Sequence, residues 1–418
     1  MTAGLARRPA VVTMVVATGV VAALAAALVP WSWVPGGHLV PARAADLFTP
    51  AQVRRAEDYA RVQRALGWTS YGVSLVVLLV LGLTPVGARL VRRVAPRRWW
   101  LAVPAGAALV LVLERVVTVP FDVASHHVDV QHGLSNQGWA AWSVDQLKSL
   151  LVSWLATSVL LIVLVGCARR SPRWWFAWAG GAALVLSLAG SFLYPVVVEP
   201  LFNSFTPLPA GPLRSSVFAL AAREGVHIDD VLVADASRRT TTLNAYVSGF
   251  GGTRRVVVYD TTLKALTPAE TRVVVAHELG HAKHGDVVIG TVLGSVGAVA
   301  ATALLALLLD TDALQRRSGT RGASDPAAVA LVLALVAVGG FLVSPLQSTV
   351  SRALEARADR TSLEATHEGA TFVRMQRELA LRSLADPTPP ALSQLWWGTH
   401  PTVLQRAGLP ASLARARR

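Results

Sequence analysis

The sequence predicts a mainly α, polytopic membrane protein with seven transmembrane helices and a small α+β domain built on a short antiparallel sheet. Three observations lead there. Hydrophobic residues make up 53% of the 418-residue chain and charged residues only 15%, where a soluble domain carries roughly 25% charged residues. Seven apolar runs approach the ~20 residues needed to cross a bilayer. A polar insert of about 90 residues separates the fifth run from the sixth.

The runs are Ala10–Trp33, Ala65–Val86, Trp99–Val119, Leu147–Ala168, Trp174–Tyr194, Val287–Leu309 and Ala327–Leu346. Tryptophans mark several ends (Trp31, Trp33, Trp99, Trp100, Trp174, Trp175), as amphipathic rings do at a membrane interface. The first run begins after Arg7 and Arg8 and is followed by "ARA" at Ala42–Ala44, the ingredients of a signal peptide. It is long for that role, and the cleavage-like triplet lies well past its end.

The net charge of +14 is mostly arginine, clustered in short loops between apolar runs. That distribution speaks for membrane orientation and against nucleic-acid binding. The loops Gly87–Arg98, Arg169–Arg173 and Asp310–Asp325 hold five, three and three arginines, while Pro120–Gln146 holds no Lys or Arg. The positive-inside rule then puts the amino terminus in the cytoplasm and the polar insert on the extracytoplasmic side, although Arg54–Arg64 adds arginines on the opposite face. The single cysteine, Cys167, allows no internal disulfide, so a metal site would be built from His, Asp and Glu.

Within the insert, "DDVLVADAS" and "RRVVVYDTT" are short, β-branched and bounded by turn residues, which predicts strands. "TLNAYVSGFGGTRRVVVYD" predicts a hairpin turning at Gly249, Gly251 and Gly252. Thr267-Pro268-Ala269-Glu270 is a capping box with Pro at the first helical position, and it starts the helix that carries "HELGH".

On that helix His277 and His281 are four residues apart and share a face, where two imidazoles can hold one Zn²⁺. Glu278 stands next to them, placed to act as a base on water without ligating the metal. His284 also shares the face, but about 10 Å along the axis from His277, too far for one ion. It reads as a neighbour of the site, with Asp286 as its partner. The longer motif with a third histidine fails, because Val287 occupies that place.

A catalytic zinc needs a third protein ligand. The downstream candidates are Glu355, Asp359, Glu364, His367, Glu368, Glu378 and His400. Two membrane crossings after His281 return the chain to the same face shortly before Glu355, which selects it. Asp359, one turn later, would accept the N–H of a ligating histidine and fix its tautomer.

These residues resemble the M48 metallopeptidases, and among them the Ste24-type CAAX prenyl proteases. The matching pieces fall in order: "YPVVVEPLFNSFTPL" (Tyr194–Leu208), "NAYVSGFGGTRRVVVYDTTL" (Asn244–Leu263), "HELGH" (His277–His281), "EARAD" (Glu355–Asp359) and "THPTVLQR" (Thr399–Arg406). The resemblance implies a gluzincin-like zinc endopeptidase inside a helical membrane chamber. It implies one zinc on His277, His281 and Glu355, with Glu278 as general base and Asp359 orienting a histidine. It implies His400 and Arg406 near the substrate and the tetrahedral intermediate. It also implies that Asn244 and Ala245 lie on an edge strand that pairs with an extended peptide. The partners so implied are a peptide or protein substrate, lipidated or membrane-associated, and membrane lipid. An HtpX-like quality-control protease is one alternative, and an inactive protease-like transporter or receptor another. By this reading residues 1–195 hold five spans, 196–286 the catalytic insert, 287–346 spans six and seven, and 347–418 the rest of the catalytic domain.

Overall fold

The computed structural model describes residues 3–249 and 254–417. Seven of its helices are long and apolar enough to cross a membrane. The first, α1 (Ala3–Leu28), stops short of Trp33, and Val29 before Pro30 marks its end. A short helix α2 (Ala44–Leu47) leads to α3 (Pro50–Leu83), which starts 15 residues before the apolar run that predicts it. Thr84 and Pro85 end that span and begin α4 (Pro85–Val94), whose two faces are strongly unlike. The arginine-rich loop read from Gly87 is therefore mostly helix.

Spans three to five are α5 (Trp99–Gln131), α6 (Trp139–Arg170) and α7 (Trp175–Leu193). The fifth continues through a π-helical stretch, Tyr194–Val198, into the short α8 (Glu199–Phe202). The few intramembrane charges are tied to neighbours. Glu114 accepts from Ser74 Oγ at 2.7 Å, while Arg115 reaches Asp122 at 2.5 Å and Gln146 at 2.7 Å. Such groups persist in a span only when partnered.

The insert then folds as β1 (Phe205–Pro207), α9 (Pro212–Arg223), β2 (Asp230–Ala234), β3 (Ala245–Ser248) and β4 (Arg255–Tyr259). The strand order is β1-β2-β4-β3. The expected hairpin is there: β3 pairs antiparallel with β4. Gly249 takes φ +87° at its turn, and Gly251 and Gly252 lie outside the described residues. The sheet is mixed, however, because β2 and β4 pair in parallel from Asp230↔Arg255 to Ala234↔Tyr259. Both are central and covered on both faces, which suits unbroken runs such as "VVV" better than strict alternation.

After α10 (Asp260–Ala265) comes α11 (Pro268–His284), which lies against the sheet. Val256, Val258, Val273, Val275, Leu279 and Phe372 form the centre of this domain's core. The sixth span is α12 (Asp286–Leu309), followed by α13 (Asp312–Ser318). The seventh belongs to α14 (Val329–Thr366), which runs unbroken through Pro345 and far past Leu346. Three further helices close the domain: α15 (Gly369–Ser383), α16 (Ala391–Trp397) and α17 (Val403–Ala416).

Candidate metal centre

Three local devices bring the site together. The capping box at the start of α11 forms as its sequence predicts: Glu270 Oε2 accepts from Thr267 N at 2.9 Å, and Thr267 Oγ1 accepts from Glu270 N at 3.3 Å. Gly285 ends α11 in the left-handed region at φ +66°, which turns the chain so that Asp286 begins the next helix beside its predecessor. Between His277 and His281, Gly280 lets α14 approach. A Cβ there would stand only 3.2 Å from Ala358 Cα and Thr361 Cβ.

That approach carries Glu355 to the two histidines. His277 Nε2 lies 3.1 Å from His281 Nε2 and 3.3 Å from Glu355 Oε2, and His281 Nε2 is 3.4 Å from Glu355 Oε1. All three ligand atoms fall within 4.8 Å of one another. The other ring nitrogens are held from behind. His277 Nδ1 is 2.9 Å from Asp359 Oδ1, and His281 Nδ1 is 2.7 Å from Asp286 Oδ2. With each Nδ1–H donated to a carboxylate, each ring in its neutral form presents its Nε2 lone pair inward, as a metal ligand does.

With both rings neutral, the state in which they can ligate, the cluster points acceptors at acceptors. Glu355 Oε2 is buried and has no hydrogen-bond donor. A buried carboxylate oxygen without a donor, facing two imidazole lone pairs, is costly unless a cation fills the gap. The donor set fits a metal ion.

The carboxylates behind the histidines are themselves held. Asp359, 1% exposed, receives Arg406 Nε at 2.8 Å and Nη2 at 2.5 Å. With its amide oxygen turned toward Arg406, Gln376 accepts from Nη2 at 3.1 Å and Nε at 3.0 Å. Asp286 is paired with Arg357 of α14. The structure thus gives Asp286 to His281, correcting its expected partnership with His284. The reason is the turn at Gly285, which folds Asp286 back over one helical turn. His284 Nε2 instead meets Thr361 Oγ1 at 3.0 Å.

Burial raises the proton affinity of Glu278, against the opposing pull of His277 and His281. Burial opposes protonation of His281, but Asp286 and Glu355 outweigh it and bring its pKa up to about 10. His277 is likewise raised, by Asp359 and Glu355 against the cost of burial. His400 is 59% exposed, 3.4 Å from Glu355 Oε1, and lowered chiefly by desolvation.

Three expected site residues, Asn244, Ala245 and Arg406, lie outside the three-residue metal cluster. Ala245 begins the outer strand of the sheet and Asn244 directly precedes it, with Asn244 exposed and Ala245 buried. Arg406 commits both of its arms to Asp359, and its Nη2 lies 3.4 Å from His277 Nδ1, behind the metal-facing side of the ring. Sequence reasoning missed Gly280, Asp286 as a partner of His281, and Gln376. The only signal for Gly280 was its place inside "HELGH"; Gln376 left none.

A helix-borne His-His-Glu cluster with an adjacent glutamate, set where seven spanning helices meet a small mixed sheet, defines a multi-pass membrane metalloprotease. Comparison with known proteins agrees. The model of peptidase family M48 matches residues 207–408, and a model described as the CAAX prenyl protease N-terminal region, with five membrane helices, matches residues 36–204. The uncharacterized metalloprotease YhfN of Bacillus subtilis is 30% identical over 370 residues, 87% of this chain and 86% of that protein. CAAX prenyl protease 1 of Saccharomyces cerevisiae is 29% identical over 216 residues, 51% of this chain and 46% of its own length. The chain belongs to the M48 peptidase family. Its fold is that of the S. mikatae Ste24p crystal structure, with a TM-score of 0.79 at 19% identity, covering 96% of this chain and 98% of that one. The Ste24-like reading holds, and the HtpX-like alternative is not favoured over it.

Proposed function

We propose that the protein is a zinc endopeptidase that cuts peptide or protein substrates held close to the membrane. The observation that carries this reading is the orphaned oxygen of Glu355 facing two histidines whose outer nitrogens are both fixed by carboxylates. Two imidazoles and one carboxylate make a zinc-type donor set that leaves a position for water. Zinc, when bound by His277, His281 and Glu355, supplies Lewis acidity that activates water and polarises the scissile carbonyl.

The chain's own residues do the rest. Glu278 takes the proton from the attacking water and passes it to the leaving amine, a task helped by its raised proton affinity. His400 stands on the open side of Glu355, placed to donate to the oxygen that gains charge. Arg406 serves as a positioning residue that holds Asp359 against His277. Ala245 and Val247 of the edge strand offer backbone groups to an extended peptide.

Among substrates we favour lipidated chains, by analogy with the relatives named CAAX prenyl proteases. By the arginine distribution the catalytic side faces away from the cytoplasm. We keep the same division of the chain, with spans in 1–195 and 287–346 and catalytic parts in 196–286 and 347–418.

The test is to purify the protein in detergent, measure bound zinc, and compare peptide cleavage by wild type and Glu278→Gln. The variant is expected to keep its zinc and lose activity on the order of 10³-fold. Equal activity overturns the mechanism. Matched prenylated and unprenylated peptides in the same assay test the substrate preference.

A further inference from the structure

The chain's positive charge gathers at the end of the bundle farthest from the metal centre. Helix α12 runs from Asp286, beside the site, to Leu309 at that far end, and α14 starts its return there at Val329. Three connecting stretches meet at this end: residues 87–98, 169–173 and 310–325. Together they hold eleven arginines against three aspartates, Asp310, Asp312 and Asp325, more than half of the chain's surplus of +14. A modest bias in such loops is enough to set orientation. This surplus is larger, and it is built into one surface.

Two of the arginines act as struts. Arg92 Nη2 donates to Gly319 O at 2.7 Å and to Asp325 Oδ2 at 3.1 Å, and Arg169 Nη1 donates to Ser324 O at 3.3 Å. Helix α4 and the end of α6 are thereby tied to one segment, residues 319–325. The start of α5 joins them: the Arg169 guanidinium lies 5.5 Å from the Trp99 ring, and a Cβ on Gly166 would stand 3.3 Å from that ring. Asp325 is already taken, by Arg92 and by the Arg321 N–H at 3.0 Å. Arg93, Arg97, Arg170 and Arg321 are exposed, and no guanidinium of theirs reaches a carboxylate among the described residues.

Depth and surroundings decide what fits there. Tryptophan rings settle at the level of lipid headgroups. Three guanidiniums lie over such rings: Arg169 over Trp99, Arg98 over Trp100 at 5.9 Å and Arg173 over Trp174 at 5.6 Å. The arginines are thus held at headgroup depth. On the bilayer side the surface turns apolar, with Trp100, Leu101, Trp174 and Trp178 all exposed. A ligand matching both parts carries an anion at one end and hydrocarbon at the other. Guanidinium forks bind phosphate oxygens two at a time. No free carboxylate remains on residues 319–325 to hold the cationic half of a zwitterionic headgroup, so a headgroup of net negative charge fits better. We propose that the surface between the α4–α5 turn and the α6–α7 turn binds an anionic phospholipid, with Arg93, Arg97 and Arg170 on its phosphate and Trp100 and Trp174 against its chains. The site lies at the opposite end from the metal centre and does not depend on the peptidase chemistry.

The test uses the full chain in phosphatidylcholine nanodiscs. A phosphatidylglycerol with a photoreactive group next to its headgroup is expected to crosslink wild type at residues 93–100 and 169–174. Crosslinks spread evenly around the protein, or gathered at the metal-centre end, overturn the proposal. Spin-labelled lipids then measure selectivity. Wild type is expected to favour phosphatidylglycerol over phosphatidylcholine by at least about fivefold. Arg93→Gln, Arg97→Gln and Arg170→Gln combined should bring that ratio close to one. A control removing the same charge elsewhere, Arg54→Gln with Arg61→Gln and Arg382→Gln, should keep most of it. Equal loss in the two variants would reduce the preference to net charge and overturn the site. Inorganic phosphate at millimolar concentration should leave the ratio unchanged. Displacement by phosphate would mark a site for soluble anions and overturn the lipid assignment. Neither measurement uses peptide cleavage, so failure here leaves the peptidase reading standing.

Discussion

The metal centre and the spans α1 and α7 are built on opposite economies. Around the centre the polar side chains hold one another in a chain: His277 by Asp359, Asp359 by Arg406, Arg406 by Gln376. Along α1 and α7 large apolar side chains face outward, with Val16 58%, Trp178 66% and Val185 62% exposed. In water such surfaces would drive aggregation; in lipid they need no partner. The comparison teaches where a substitution is felt. In the centre one atom has several dependants, whereas on the lipid face a side chain has almost none.

The sharpest break comes from Glu355→Ala. It is expected to abolish stoichiometric metal binding and to lower cleavage about 10³-fold, since the metal supplies several kcal/mol of transition-state stabilisation. Metal analysis alongside a cleavage assay checks it. Asp359→Asn leaves the ligands and alters only what stands behind His277. It should weaken metal affinity about 10–100-fold, read by competition with a chelator. An unchanged affinity would show that the buried Asp359 network is scaffolding alone.

The third prediction concerns protons. Asp286 and Glu355 raise His281 to about 10, so in the metal-free protein its imidazole is charged at neutral pH. Metal must displace that proton, so affinity rises with pH, by about tenfold per unit for one proton, up to the raised value. Calorimetry in buffers of differing ionisation enthalpy should register the release of about one proton. Absence of release near pH 7 would contradict the raised value. The smallest effect belongs to the lipid face. Val185→Leu should change stability by under about 0.5 kcal/mol and leave metal content untouched, as measured by thermal unfolding in lipid nanodiscs. A large shift there would undo the contrast.

How far the sequence could be read follows the same division. His277, Glu278 and His281 were legible because four-residue spacing has one meaning on a helix, and Glu355 because two crossings fix a side of the membrane. The spans were legible by hydropathy, but their ends were not. The stretches Pro50–Arg64 of α3 and Gln347–Thr366 of α14 are polar helix outside the apolar runs, where hydropathy is silent. The parallel pairing of β2 with β4 depends on strand order, which no local pattern records. Asp286 was assigned to the wrong histidine because its direction depends on the left-handed turn at Gly285.

The unbroken course of α14 has a mechanical consequence. Its 38 residues form a rod of about 57 Å, with Glu355 about 39 Å from the end at Val329. A pivot of only ~3° about that end would swing the carboxylate ~2 Å, the length of a metal–ligand bond. The rod is a lever, and α3 and α11 packed along it are its clamps. The tolerances of the coordination sphere are therefore set partly in the bilayer, by how firmly neighbouring helices grip the apolar length of α14.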